Sequence, residues 1–395
     1  MSKEKNTGED IYINGKLAIA ILVTFSLLII TLIGMFICIA IDANGDSGYA
    51  QIDDGPSKQV ANNDPNSLTP SAKSEAGKKT GIVLPCATKS GSYLGAINDR
   101  TQDISGDTAI SSAAAALINV TDGKAVALKS ANVKIYPASM TKVMTLLVAC
   151  ENAKDPNALL TVTDEMVKKY NASYNASKED GPSVAISWKS GYQVTMEDAL
   201  HMIIYESDTY ACWLVANSVA GSEEGFVALM NAKAKSLNID TTTHFENVTG
   251  LYHDNHYTTC LDMAAIMAAA MNNEAARSVL TNKEKYTVDI YVDGKATETA
   301  SMYTAWYTSR LEAYRYPNTA PKYAGNGSDI ELIGGKTGYE TIPTNCYVTA
   351  GKNDVTGTLY VCVQVGRIDD KTQTAISAQT STNDNRVIYQ KYALD

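Results

Sequence analysis

Leu17 to Ile41 runs for 25 residues without a charged side chain. At about 1.5 Å per residue such a helix outspans the roughly 30 Å hydrocarbon layer of a bilayer. A soluble core rarely takes a helix that is apolar on every face for so long. Lys3, Lys5 and Lys16 precede the run, and Asp42, Asp46, Asp53 and Asp54 follow it. The positive-inside rule therefore reads residues 1–16 as a cytoplasmic tail, 17–41 as one transmembrane anchor, and the rest as lying outside the membrane. A cleaved signal peptide is the alternative, with Ile41-Asp42-Ala43 or Gly48-Tyr49-Ala50 as the cleavage site; it would release a secreted protein. The apolar run is long for a signal core of about 7–15 residues.

Residues 42–108 are rich in Asp, Asn, Ser, Gly, Lys and Pro and show little hydrophobic periodicity, which predicts a flexible spacer. Residues 109–395 then form the folded domain. Ala113–Val120 and Ala125–Leu128 flank the turn Thr121-Asp122-Gly123-Lys124, a hairpin signal. Pro137 opens a helix through Cys150. Helices are also expected over Met196–Val219, Glu223–Leu237 and Leu261–Met271. Strands follow at Val288–Val292, Asp329–Gly334, Asn345–Ala350 and Thr358–Val365. Strands early and late with helices between imply an α+β domain whose sheet gathers both ends of the chain.

The net charge of −10 argues against a nucleic-acid partner. No His/Cys cluster has metal-ligand spacing. His253-Asp254-Asn255-His256 comes nearest, but it lies in a Gly/Asn/Asp-rich stretch better read as a solvated loop. No metal or other cofactor is expected. Six cysteines outside the apolar run permit disulfides, yet most sit in apolar stretches, as small buried thiols do.

Ser139 and Lys142 stand three positions apart on the predicted helix and so share a face. A lysine at its free pKa of about 10.4 is a poor base, but burial or a neighbouring cation would leave some free amine. That amine could take the hydroxyl proton as Ser139 attacks a carbonyl. The helix start adds free backbone N–H groups suited to an oxyanion. Far downstream, Lys336-Thr337-Gly338 follows a strand-like run. Decoys exist at Ser2–Lys5, on the cytoplasmic side, and at Lys79-Thr80-Gly81, in the spacer.

The segment Ala138-Ser139-Met140-Thr141-Lys142-Val143-Met144-Thr145, together with Val194–Leu200, Ala220–Phe226, Thr243–Asn247, Thr249-Gly250-Leu251 and His256–Thr259, resembles the serine-type D-alanyl-D-alanine carboxypeptidases, the low-molecular-weight penicillin-binding proteins. The resemblance runs from about Ala113 to Gly366. It implies a β-lactamase/DD-transpeptidase-like domain, with an antiparallel sheet flanked by helices and a helical subdomain, in a bacterial cell envelope. By the same resemblance Ser139 matches the nucleophile and Lys142 its base. Lys336, Thr337 and Gly338 match the strand that receives the substrate's terminal carboxylate, and the N–H groups of Ser139 and Tyr339 match the oxyanion hole. Ser207 matches the serine that passes a proton to the leaving group. The implied partners are peptidoglycan stem peptides ending in D-Ala-D-Ala, with β-lactams as inhibitors.

Three departures stand out. Thr209 occupies the place of the family's asparagine in the Ser-x-Asn motif, and one hydroxyl offers less than an amide's donor and acceptor. The expectation is slowed or altered activity. Ser207 and Lys336 lie 129 positions apart, a long gap whose surplus is placed in Tyr303–Asn326. The chain ends soon after its last strands, so tethering would fall to Leu17–Ile41. The alternatives are an endopeptidase, a catalytically impaired cell-wall protein of the same fold, and a β-lactamase. For the last, Asp164-Glu165 and Glu179-Asp180 are the only carboxylate clusters near the expected position of a deacylating glutamate.

Overall fold

The computed structural model describes residues 97–177, 183–303, 322–324, 329–339, 345–366 and 378–393. The expected anchor at 17–41, both decoy motifs, Glu179-Asp180 and most of Tyr303–Asn326 lie outside the described residues. Among the described residues no helix is long and apolar enough to cross a membrane.

The strands are β1 (Gln102–Asp103), β2 (Ala114–Asn119), β3 (Lys124–Lys129), β4 (Leu159–Thr161), β5 (Tyr192–Thr195), β6 (Tyr286–Val292), β7 (Lys295–Met302), β8 (Lys322–Ala324), β9 (Asp329–Gly338), β10 (Cys346–Asn353) and β11 (Leu359–Val365). The helices are α1 (Thr141–Asn152), α2 (Asp164–Ser177), α3 (Met196–Tyr205), α4 (Thr209–Ala220), α5 (Glu223–Ser236), α6 (Cys260–Asn272), α7 (Glu274–Thr281) and α8 (Ala378–Tyr392). The main sheet runs β1-β3-β2-β11-β10-β9-β8, so it does gather both ends of the domain. Its pairings are antiparallel except β1 with β3, which is parallel. A second antiparallel sheet runs β4-β5-β6-β7.

The apolar run in β2 is continuous because both faces of the sheet are covered. Ala114, Ala116 and Ile118 join one core with α1, α3, α4 and α6. Ala115 and Leu117 join another with Ile388 and Tyr389 of α8. Alternation along the strand thus assigns successive residues to different cores.

The structure revises three expectations. The domain begins before residue 109: Gln102–Asp103 pairs with β3, and Ile104 and Ile110 are both buried. The stretch after the last strand, where no element was expected, contains α8. Its polar residues are consumed inward rather than solvated: Ser112 donates both its N–H (2.6 Å) and its hydroxyl (2.5 Å) to Asp384, and Asn385 donates to Thr349 Oγ1 at 3.0 Å. Met196–Val219 is not one helix. It breaks at Glu206-Ser207-Asp208, where Ser207 adopts φ 58° and Asp208 caps α4 by accepting from the Ala211 N–H at 2.9 Å. Aspartate favours such a cap over a helix interior.

Candidate active site

Pro137 precedes a single 3-10 turn, Ala138–Met140, that leads into α1. The turn is unusual at Ala138, whose φ of 45° is rare for a residue with a side chain. It sets Ser139, half-buried, over Lys142, which is 2% exposed. The Lys142 ammonium donates to Ser139 Oγ at 3.0 Å and to the Thr249 carbonyl at 2.7 Å. The predicted juxtaposition of serine and lysine is therefore present, and a backbone carbonyl joins it.

Two glycines let backbone close on this turn. A Cβ on Gly250, at φ 85°, would lie 1.9 Å from the Ala138 carbonyl oxygen and 2.9 Å from Thr141 Oγ1. One on Gly338 would lie 2.4 Å from Cys346 Sγ and 3.2 Å from the Pro137 carbonyl. Gly338 thus brings the end of β9 against the turn that carries Ser139. Cys346, opposite Gly338 on β10, donates its thiol to the Pro137 carbonyl at 3.3 Å.

Lys336 lies on β9, is 1% exposed and donates to the Thr337 carbonyl at 2.8 Å. Burial, reinforced by the charge of Lys142, pushes its pKa down to about 7. Thr337 is half-buried beside it, while Tyr339 projects outward, 55% exposed.

Ser207 sits between Glu206 and Asp208. The charge of Lys336 reaches Glu206, and that of Lys142 reaches Asp208. Ser207 Oγ is buried and has no hydrogen-bond partner among the described residues. Asp208 is wholly buried; its carboxylate accepts from the Ala185 N–H (2.6 Å), Trp188 Nε1 (2.9 Å) and the Ala211 N–H (2.9 Å). Burial raises its pKa against those bonds. Thr209 is also buried, and its N–H donates to the Ser183 carbonyl at 2.9 Å.

His256 is buried and does not face a shared ligand site with His253. Its Nδ1 accepts from the Glu246 N–H at 3.2 Å, leaving Nε2 to donate to Thr141 Oγ1 at 2.9 Å. Burial, and after it electrostatic repulsion from His244, His253 and Lys142, pushes its pKa down to about 3. Among the described residues no group of three or more His, Cys, Asp or Glu side chains could hold a metal. The described cysteines, Cys150, Cys212, Cys260, Cys346 and Cys362, are all buried. Asp164 and Glu165 lie in the first turn of α2.

Sequence reasoning missed the segment 247–251 as site structure. Its signal was the spacing Asn247-x-x-Gly250, the pattern of a turn closed by an asparagine side chain.

The fold is like that of the DD-transpeptidases. The Streptomyces K15 DD-transpeptidase superposes with a TM-score of 0.56 at 21% identity, covering 71% of this chain and 97% of that one. A D-alanyl-D-alanine carboxypeptidase from Mycobacterium tuberculosis gives 0.52 at 21% identity, covering 72% and 92%. The chain belongs to the D-alanyl-D-alanine carboxypeptidase family, peptidase S11, whose model matches residues 100–365. It is 33% identical over 172 residues to the carboxypeptidase DacF of Bacillus subtilis, covering 44% of this chain and 42% of that protein. It is 35% identical over 169 residues to DacC of Escherichia coli, covering 43% and 41%. The alignments thus span about two-fifths of the length of these relatives.

Proposed function

We propose that this chain is a membrane-anchored serine DD-carboxypeptidase that removes the terminal D-alanine from peptidoglycan stem peptides. The observation that carries the reading is the Lys142–Ser139 hydrogen bond at 3.0 Å, made by a buried lysine with a second buried lysine, Lys336, close enough to feel its charge. Two cations held together out of water disfavour double protonation, so one amine is available as a base.

Ser139 Oγ attacks the penultimate D-alanine carbonyl while Lys142 takes its proton. The N–H groups of Ser139 and Tyr339 receive the oxyanion. Ser207 passes a proton to the departing D-alanine nitrogen, and water then releases the acyl-enzyme. Lys336 and Thr337 select a free carboxylate through charge-assisted hydrogen bonds. β-Lactams acylate the same serine. No metal or other cofactor is used. Residues 17–41 anchor the chain in the bacterial cell membrane, 42 to about 100 serve as a spacer, and the catalytic domain lies outside.

The test is direct. The purified chain should release D-alanine from a peptide ending in D-Ala-D-Ala and should bind labelled penicillin covalently. Failure of both ends the proposal. Rapid turnover of the antibiotic would favour a β-lactamase instead, and cleavage of cross-links alone an endopeptidase. The placement of Thr209 at the buried start of α4 supports a slower enzyme than one with asparagine there.

A further inference from the structure

The segment 247–251 lies across the start of α1 as a strap. Thr145, one turn beyond Lys142, donates its hydroxyl to the Val248 carbonyl at 2.7 Å, and Gly250 packs on Ala138 and Thr141. The Thr249 carbonyl, between them, accepts from Lys142 at 2.7 Å.

One side chain organises this strap. Asn247 Oδ1 accepts from the Thr249 N–H (3.1 Å), Thr249 Oγ1 (3.0 Å) and the Gly250 N–H (2.7 Å). Its Nδ2 donates to the Leu251 carbonyl at 2.8 Å. From α5, Glu223 adds one bond by accepting the Val248 N–H at 3.2 Å. Asn247 touches neither Ser139 nor Lys142 through any of these bonds. It turns both N–H groups flanking the Thr249 side chain inward, which leaves the Thr249 carbonyl directed at the lysine.

We infer that Asn247 is a positioning residue for acyl transfer: it holds the Thr249 carbonyl that fixes the rotation of the Lys142 amine over Ser139. The inference rests on the function proposed above. A neutral amine has two N–H donors and one lone pair. With one N–H committed to Thr249, the lone pair is free to receive the Ser139 proton; with the amine turning freely, that alignment is met only part of the time. The carbonyl also favours the charged amine, so its loss eases deprotonation. Other groups facing Lys142 include Lys336 on β9, Asp208 at the cap of α4, Cys212 on α4, and His256. None of them changes in the variants below.

The experiment measures acylation of the full-length chain by labelled penicillin, per active site, across pH. Asn247→Ala should lower the plateau rate about tenfold to hundredfold, the scale of a small misplacement of a reacting group. Its acid limb should move to lower pH by about half a unit. Asn247→Asp keeps an acceptor for all three donors but loses the bond to the Leu251 carbonyl, so it should retain more of the plateau than Asn247→Ala. An Asn247→Ala protein whose per-site rate and acid limb match the wild type, with only fewer active sites, would show a purely structural role and overturn the inference. So would an Asn247→Asp plateau as low as that of Asn247→Ala. Where Asn247→Ala does not fold, Asn247→Ser takes its place under the same criterion. Absence of acylation in the wild type itself would bring down the proposed function, and this inference with it; acylated wild type with unmoved variants brings down the inference alone.

Discussion

The two corners of the site are built differently. At the start of α1 the hydrogen bonds close on protein: Lys142 on Ser139 and Thr249, Thr141 with His256, Thr145 on Val248, and Cys346 on Pro137. At the start of α4 the bonds converge on Asp208, while Ser207 holds a left-handed backbone and a buried hydroxyl with no partner among the described residues. The first corner is self-sufficient and sets Ser139, the proposed nucleophile. The second is a rigid mount for a hydroxyl with no partner among the described residues, which suits the proposed passage of a proton to a departing group. An unsatisfied buried hydroxyl costs about 1–3 kcal/mol, so it persists only where the surroundings hold it.

The sharpest way to break the contrast is Lys142→Met, which keeps the packing of the stem and removes the proposed base. Penicillin acylation should fall about 10²- to 10⁴-fold, the usual share of general base catalysis. A loss under tenfold would move the base elsewhere. The next effect concerns Lys336. Its pKa of about 7 means that it is charged below that pH and neutral above it. KM for a peptide with a free terminal carboxylate should therefore rise as pH climbs through 7, by about ten- to hundredfold if one charge-assisted bond is lost. The same peptide with an amidated end should show no such rise.

Asp208→Asn tests the second corner. The amide retains one acceptor oxygen but turns an NH₂ toward donors that the carboxylate now satisfies. Thermal unfolding should report a loss of about 1–3 kcal/mol, with Ser139 acylation impaired in the protein that remains folded. Unchanged stability would mean that Asp208 anchors nothing. The smallest effect is expected from Thr209→Asn. Restoring an amide should raise acylation about two- to tenfold, the worth of one neutral hydrogen bond. A neutral outcome would make Thr209 a tolerated replacement; a rise of several orders of magnitude would recast the natural chain as an impaired enzyme.

The first corner was legible because its chemistry is local. A serine and a lysine three apart on a helix must meet, and Lys336-Thr337-Gly338 follows a strand-like run. The second corner was hidden by composition: Met196–Val219 is helix-like throughout, and only the Asp208 cap breaks it. Its anchor points, Ala185 and Trp188, lie on a loop with no periodic signal. The strap was hidden for the opposite reason. Thr249 acts through its backbone carbonyl, and a sequence does not mark which carbonyl will face a lysine. α8 escaped notice because the first half of its buried face is polar, at Ser381, Asp384 and Asn385, and only Ile388 and Tyr389 mark it as apolar.

Mass spectrometry of the full-length chain after incubation with a β-lactam tests the central claim most directly. The account predicts one adduct, equal in mass to the intact antibiotic, on the peptide carrying Ser139, and none in a Ser139→Ala protein. An unmodified chain at saturating antibiotic, or an adduct on any other residue, would contradict it.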